Sequence, residues 1–285
     1  MSGSRQPIKL LREALLGRLG GIGEILRFDN RFQLLYQRLL QKHQRLAVYR
    51  LGDIEAVVDI AGGDLLSVRA CLASPMYRAL LAQVDLPSSL SVADLGANSG
   101  GFPLLLLSLG HKLENLLCVE LNPRTALRLR YNLQGNLPLT ARWQVREAAI
   151  VGKSRRLKVH LGRGSVGDSI YGTGTTPEGV DSEVEGITLD DCFAQAFDSA
   201  PIDLCKMDIE GAEYEVFESQ AHERIKQCRC LLIEIHPTTS ERRDGLFARL
   251  EELGFNLIGG PADRRFDVEY CFVNKATVRP NASPQ

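Results

Sequence analysis

The chain has 285 residues, a net charge of −1 and 44% hydrophobic residues. That length suits one α/β domain of roughly 200 residues with an extension, and a near-neutral charge argues against a general nucleic-acid binder, which would carry a basic domain. No apolar run reaches the roughly 18 residues of a transmembrane helix, and Lys9, Arg12, Glu13 and Arg18 interrupt the apolar positions too often for a signal peptide.

The basic residues are concentrated at the start, with ten against three acidic ones up to Arg50. Residues 1–86 read as a mainly helical extension, with apolar positions such as Phe32, Leu35, Leu39 and Leu40 at helical spacing. Gly20, Gly21 and Gly23 break the pattern, and the stretch from Tyr49 to Gly63 has room for a short strand pair. Two uses stay open for these helices: a basic amphipathic surface lying on an anionic membrane, or a lid packed on the main domain, which is preferred.

From residue 87 onward strands and helices alternate, which implies a mostly parallel sheet wound right-handedly. Strands are expected at 90–95, 116–121, near 142–145, at 203–209 and at 230–236. Helices are expected at 102–109, after Asn122-Pro123, at 189–197, 212–219 and 241–253. Two closing strands end the sheet, around Asn256 and over 267–274, as a hairpin at the edge. Between Arg155 and Val184 the sequence is rich in Gly, Ser and Thr and reads as a long loop. The seven cysteines form no C-x-x-C, and Cys118, Cys205, Cys230 and Cys271 fall in apolar runs, so buried free thiols in a reducing, cytoplasmic setting are expected.

The stretch S-V-A-D-L-G-A-N-S-G-G-F, residues 91–102, looks like the start of a nucleotide-binding fold. Its glycines do not follow G-x-G-x-x-G or the P-loop spacing, and Asp94 at the strand end would repel a diphosphate. A ligand with positive charge nearby fits better. In an open parallel sheet, ligands bind beyond the carboxyl ends of the strands. That edge collects Asp94, Gly96 and Asn98, then Glu120, Glu147, Asp208, Glu210, Glu234 and His236. A carboxylate placed like Glu120 suits the two hydroxyls of a ribose.

The series V-A-D-L-G-A-N-S-G, V-E-L-N-P, I-T-L-D-D-C, D-L-C-K-M-D-I-E-G-A-E-Y-E-V-F and L-L-I-E-I-H-P resembles the FkbM family of S-adenosylmethionine-dependent methyltransferases. The most specific piece is K-x-D-x-E-G-x-E, from Lys206 to Glu213. The resemblance implies a class I methyltransferase, Rossmann-like fold over residues 87–285, with a seven-stranded, mostly parallel sheet and an antiparallel edge strand. It implies S-adenosyl-L-methionine as cofactor and O-methylation of a hydroxyl on a sugar, glycan or related natural product. Cofactor contacts are expected from Asp94, Gly96, Asn98, Gly100, Glu120, Asn122, Glu147 and Asp208, although Asn122 also suits a helix cap.

For the reaction, Asp208, Glu210 and His236 are the candidate catalytic residues, His236 because an ordinary imidazole is a general base near neutral pH. A divalent metal held by Asp208, Glu234 and His236 is the alternative. Lys206 shares a strand face with Asp208 and would orient it or face the acceptor. Ser165, Asp168 and Ser169 in the glycine-rich loop are candidates for closing over substrate. Two other functions stay open: a non-catalytic, S-adenosylmethionine-binding module that docks through its basic N-terminal helices, and a dehydrogenase.

Overall fold

A computed structural model describes residues 21–41, 45–60, 64–162, 170–171 and 179–277. Ser165, Asp168 and Ser169 lie outside the described residues. After a helical stretch over residues 21–25 come helix α1 (Arg31–Leu40), strands β1 (Leu46–Leu51) and β2 (Ile54–Asp59), and helices α2 (Asp64–Leu72) and α3 (Pro75–Leu81). The strand pair expected near Tyr49 is therefore an antiparallel hairpin, closed through Leu51 and Ile54. Helix α1 buries Leu34 and Gln37 and turns Phe32, Tyr36, Leu39 and Leu40 outward.

The alternating region runs β3 (Ser89–Leu95), α4 (Gly101–Ser108), β4 (Lys112–Glu120), α5 (Pro123–Asn136), β5 (Arg142–Ile150), β6 (Arg155–Leu161), β7 (Val180–Ile187), α6 (Leu189–Phe197) and β8 (Ile202–Met207). It continues through α7 (Glu213–Glu218), β9 (Cys228–Ile235), α8 (Ser240–Glu252), β10 (Phe255–Gly259) and β11 (Val268–Asn274). Local chemistry fixes the boundaries. Asn122 caps α5 by accepting from the Arg124 N–H, with Pro123 in the first turn, and Thr188 caps α6 by accepting from the Asp191 N–H.

The strands form one nine-stranded sheet in the order β10-β11-β9-β8-β3-β4-β5-β7-β6. From β5 through β9 the pairings are parallel, and β11 is antiparallel to both its neighbours. The seven-stranded, mostly parallel sheet is thus present as β10 through β5, with its last strand antiparallel. That strand lies one place in from the edge, between β9 and β10. The long loop expected over 155–184 is shorter than the composition suggested: its two ends are β6 and β7, which pair antiparallel and extend the opposite edge.

Period-two alternation sends side chains to two cores. In β3, Leu90 and Val92 join one core while Ala93 and Leu95 join the other. The first core is shared with the N-terminal elements, including Phe28, Ala56, Val58 and Val68. Asn132 of α5 clasps the hairpin: its Oδ1 accepts from the Val57 N–H (2.8 Å) and its Nδ2 donates to the Val57 carbonyl (3.0 Å) and the Ser99 carbonyl (2.8 Å). Arg128 of α5 pairs with the buried Asp64 at the start of α2. Gly101 allows α2 to touch α4, since a Cβ there would stand 2.8 Å from the Ser67 carbonyl oxygen. No helix among the described residues is long and apolar enough to cross a membrane.

Candidate active site

A cavity opens at the carboxyl ends of the parallel strands. Asp94, Gly96, Ala97 and Asn98 line it after β3, and Glu120 and Leu121 after β4. The end of β5 contributes Ala148, Ala149 and Ile150. Its other end is walled by Lys206, Asp208, Ile209 and Glu210 from β8 and the turn beyond it, by Glu234 of β9 and by Glu269 of β11. Ser67, Cys71 and Tyr77 of the N-terminal helices close that side.

Between the two ends, Asp94 is fully buried and neither carboxylate oxygen has a hydrogen-bond partner. Lys206 Nζ stands 4.0 Å from its Oδ1. Burial raises the Asp94 carboxyl to about 6, with the Lys206 charge pulling it back and Asp208 pushing it further up. Glu120 is held by backbone donors: Oε2 accepts from the Asn98 N–H (2.9 Å) and Oε1 from the Asn122 N–H (2.8 Å). Asn98 takes a left-handed conformation (φ 48°), which asparagine tolerates better than most residues.

Three residues expected at the cofactor are elsewhere. Gly100 does not line the cavity; it is the left-handed N-cap of α4, with Leu129 packed where a Cβ would go. Asn122 is buried in its capping role, and its Nδ2 donates to the Gly162 carbonyl. Glu147 faces outward and pairs with Arg130 at 2.5 Å. Strand β5 runs on to Ile150, so the residues that reach the cavity are the three after Glu147.

At the second end, Lys206 Nζ donates to Asp208 Oδ2 at 3.0 Å. Burial opposes the Lys206 charge, but Asp208 and Asp94 outweigh it and keep the amine cationic. Burial likewise raises Asp208, yet Lys206 and His236 leave its carboxyl below the ordinary range. Glu210 (φ 53°) and Gly211 (φ 96°) form a left-handed turn, pinned where Glu213 Oε2 accepts from the Gly211 N–H.

His236 does not line the cavity. Its Nδ1 contacts Oε1 of the fully buried Glu213 at 3.2 Å, and its Nε2 lies 3.5 Å from Glu210 Oε2 and 3.7 Å from Asp208 Oδ1. Burial lowers its proton affinity, but Glu210, Glu213 and Asp208 raise the pKa to about 11. The expectation of a neutral imidazole base therefore gives way to an imidazolium held among carboxylates.

Two carboxyls that do line the cavity have the opposite character. Glu234 and Glu269 are direct partners across β9 and β11. Burial, then the charges of Asp208 and Glu269, push Glu234 up to about 8. Burial raises Glu269 as well, with a hydrogen bond from Tyr77 and the charge of Lys206 pulling the other way. Glu269 and Tyr77 were not recognised in the sequence. The alternation of β11 marks Glu269 as facing a sheet surface, but only the register with β9 puts it beside Glu234.

Of the glycine-rich segment, Ile170 lines the cavity and the Tyr171 hydroxyl donates to Glu215 Oε2 at 2.8 Å. Glu215 also accepts from Arg155 and from the Gly152 N–H, and the Arg155 bonds hold its carboxyl near 2 despite partial burial.

A parallel sheet with this crossover order, a last strand inserted antiparallel and a ligand cavity at the β3, β4 and β8 ends defines a class I methyltransferase fold. A family model described as the methyltransferase FkbM domain matches residues 94–257, more than half the chain. The chain belongs to the FkbM methyltransferase family. No curated protein matches it.

Among solved structures the chain is similar to methyltransferase FkbM from Methylobacillus flagellatus KT, at 17% identity over 73% of this chain and 53% of that one, with a TM-score of 0.48. It thus spans about half the length of that protein. It is also similar to Trm5b from Pyrococcus abyssi (14% identity, 81% of this chain, 56% of that chain, TM-score 0.44). A putative SAM-dependent methyltransferase from Streptococcus mutans matches at 11% identity (81% of this chain, 56% of that chain, TM-score 0.45).

The family implies S-adenosylmethionine, and the residues present fit it. Asp94, fully buried and without a hydrogen-bond partner, has the Lys206 ammonium at 4.0 Å, but that ammonium donates to Asp208, so the Asp94 carboxylate is placed to meet a cationic ligand in the cavity.

Proposed function

We propose that the protein is an S-adenosylmethionine-dependent O-methyltransferase acting on a hydroxyl of a sugar, glycan or related natural product. The observation that carries this reading is a single cavity with Glu120 toward one end, the buried carboxylate of Asp94 beside Lys206 at its middle, and the carboxyls of Asp208, Glu210, Glu234 and Glu269 toward the other. The cofactor supplies an electrophilic methyl group on a positively charged sulfur.

Asp94 balances the cofactor's positive charge, and Gly96 and Asn98 shape the turn around it. Glu120, aimed by two backbone N–H groups, accepts from ribose hydroxyls. The apolar residues Ala148, Ala149 and Ile150 exclude water from the adjoining wall. At the far end Lys206 fixes Asp208. The acceptor hydroxyl needs a group that will take its proton as the new carbon–oxygen bond forms. The paired carboxyls of Glu234 and Glu269 have the raised proton affinity for this, and base catalysis of this kind contributes about 10²- to 10⁴-fold. Asp208, with its lowered proton affinity, is better suited to orienting the hydroxyl.

Helices α2 and α3 belong to the acceptor side, because Ser67, Cys71 and Tyr77 wall that end. Holding acceptor oxygen and methyl group in line is the main task, and well-aligned groups gain on the order of 7 to 11 kcal/mol in the best cases.

The test is a methyl-transfer assay with S-adenosylmethionine against neutral monosaccharides, glycans, polyketides and lipid alcohols, reading S-adenosylhomocysteine and methylated product together. Product on a sugar hydroxyl is expected. Binding of the cofactor without turnover on any of these classes would favour the interaction module instead.

A further inference from the structure

We propose that Asp208, Glu234 and His236 form a divalent-cation site at the acceptor end of the cavity. One carboxylate oxygen from each acid and one ring nitrogen all lie within 4.8 Å of one another. Ligands of an ion with bonds of about 2.1 Å lie about 3 Å apart when adjacent and about 4 Å when opposite. The 3.7 Å between His236 Nε2 and Asp208 Oδ1 falls in that range. It is too long for a charge-assisted hydrogen bond, which runs about 2.7–2.9 Å. Asp208 also shares a hydrogen bond with Glu234, and Glu210 with His236, so an ion at this site takes the place of the protons these groups share, the imidazolium proton of His236 included.

The supporting contacts are of the kind that serve an ion. Glu213, fully buried, holds His236 through Nδ1 at 3.2 Å, which leaves Nε2 between Glu210 and Asp208. A histidine ligand commonly has its other ring nitrogen fixed by a carboxylate in this way. Lys206 does not compete, because it takes Oδ2 of Asp208 while Oδ1 faces the imidazole. Two carboxylates and one imidazole suit Mn²⁺ or a similar borderline ion. With Glu234 on the ion, the proton of the acceptor hydroxyl goes to Glu269. That use of the ion rests on the proposed reaction; the binding does not.

The experiment is titration of the full-length, chelator-treated protein with Mn²⁺ at pH 8, without cofactor or acceptor. Calorimetry gives stoichiometry and pulsed electron paramagnetic resonance detects nitrogen coupling. One Mn²⁺ per chain is expected, carrying the coupling of one imidazole. His236→Gln should abolish that coupling and Glu234→Gln should weaken binding by at least about tenfold. Absence of saturable binding by the wild type, a bound ion without nitrogen coupling, or unchanged affinity in Glu234→Gln would overturn the site. Failure of the methyltransferase reading shows up separately, as failure of S-adenosylmethionine to bind, and leaves the Mn²⁺ result standing.

Discussion

The main-chain carbonyl of Asp208 occupies the space beside Gly96 so closely that a Cβ at residue 96 would stand 1.7 Å from its oxygen. The turn after β3 and the turn after β8 are thus locked together at the point where the two ends of the cavity meet. Gly96 also has a φ of 79°. Gly96→Ala must relieve a backbone clash and hold a left-handed conformation, a combined cost of about 2–5 kcal/mol. Urea unfolding of the variant should show that loss.

The Asp94 carboxyl gives a pH test. In the proposed reaction it meets the cationic cofactor as a carboxylate, and burial raises its pKa to about 6. Affinity for S-adenosylmethionine should be level above that pH and fall by up to about tenfold per unit below it, because binding must then expel a proton. Asp94→Asn should abolish the rise in melting temperature that the cofactor produces. A flat affinity between pH 5 and 7 would remove Asp94 from the cofactor site.

Glu269 separates the acceptor side from the cofactor side. Glu269→Gln is expected to leave cofactor affinity within about twofold while slowing methyl transfer by about 10²-fold or more. Calorimetry on the cofactor and single-turnover product formation measure the two effects independently.

The clasp of Asn132 on the hairpin predicts how the N-terminal elements are retained. Asn132→Ala strands the N–H and the carbonyl of Val57 without their partners. The expected loss is about 2–4 kcal/mol, with faster amide hydrogen exchange in β1 and β2 than in β3 and β4.

Much of this site could be read from sequence because acids stand at the ends of apolar strands. Asp94, Glu120, Asp208 and Glu234 all follow that rule and all line the cavity. Glu147 failed the same rule because β5 continues three residues further, which periodicity in its mixed polar stretch does not reveal. His236 ends a strand by the same rule but does not line the cavity, and its raised proton affinity comes from Glu210 and from Glu213, which lies on a helix whose contact with the strand end is tertiary. Tyr77 gave no signal at all: its neighbours spell an ordinary amphipathic helix, and only the packing of α3 brings it to Glu269. The strands β6 and β7 were hidden by glycine and serine, and they are stabilised by pairing with each other and with β5.

All seven cysteines are buried and form no disulfide; burial raises the thiols of Cys71, Cys118, Cys192 and Cys228, and the contact with Cys271, then burial, raises that of Cys230. A thiol reagent can therefore react only as fast as each part of the protein opens, so the wild-type chain carries its own set of clocks. Cys192 times α6, Cys205 and Cys228 the centre of the sheet, and Cys230 with Cys271 the antiparallel end. Cys71, at the cavity wall, is the one whose clock should slow when the cavity is filled.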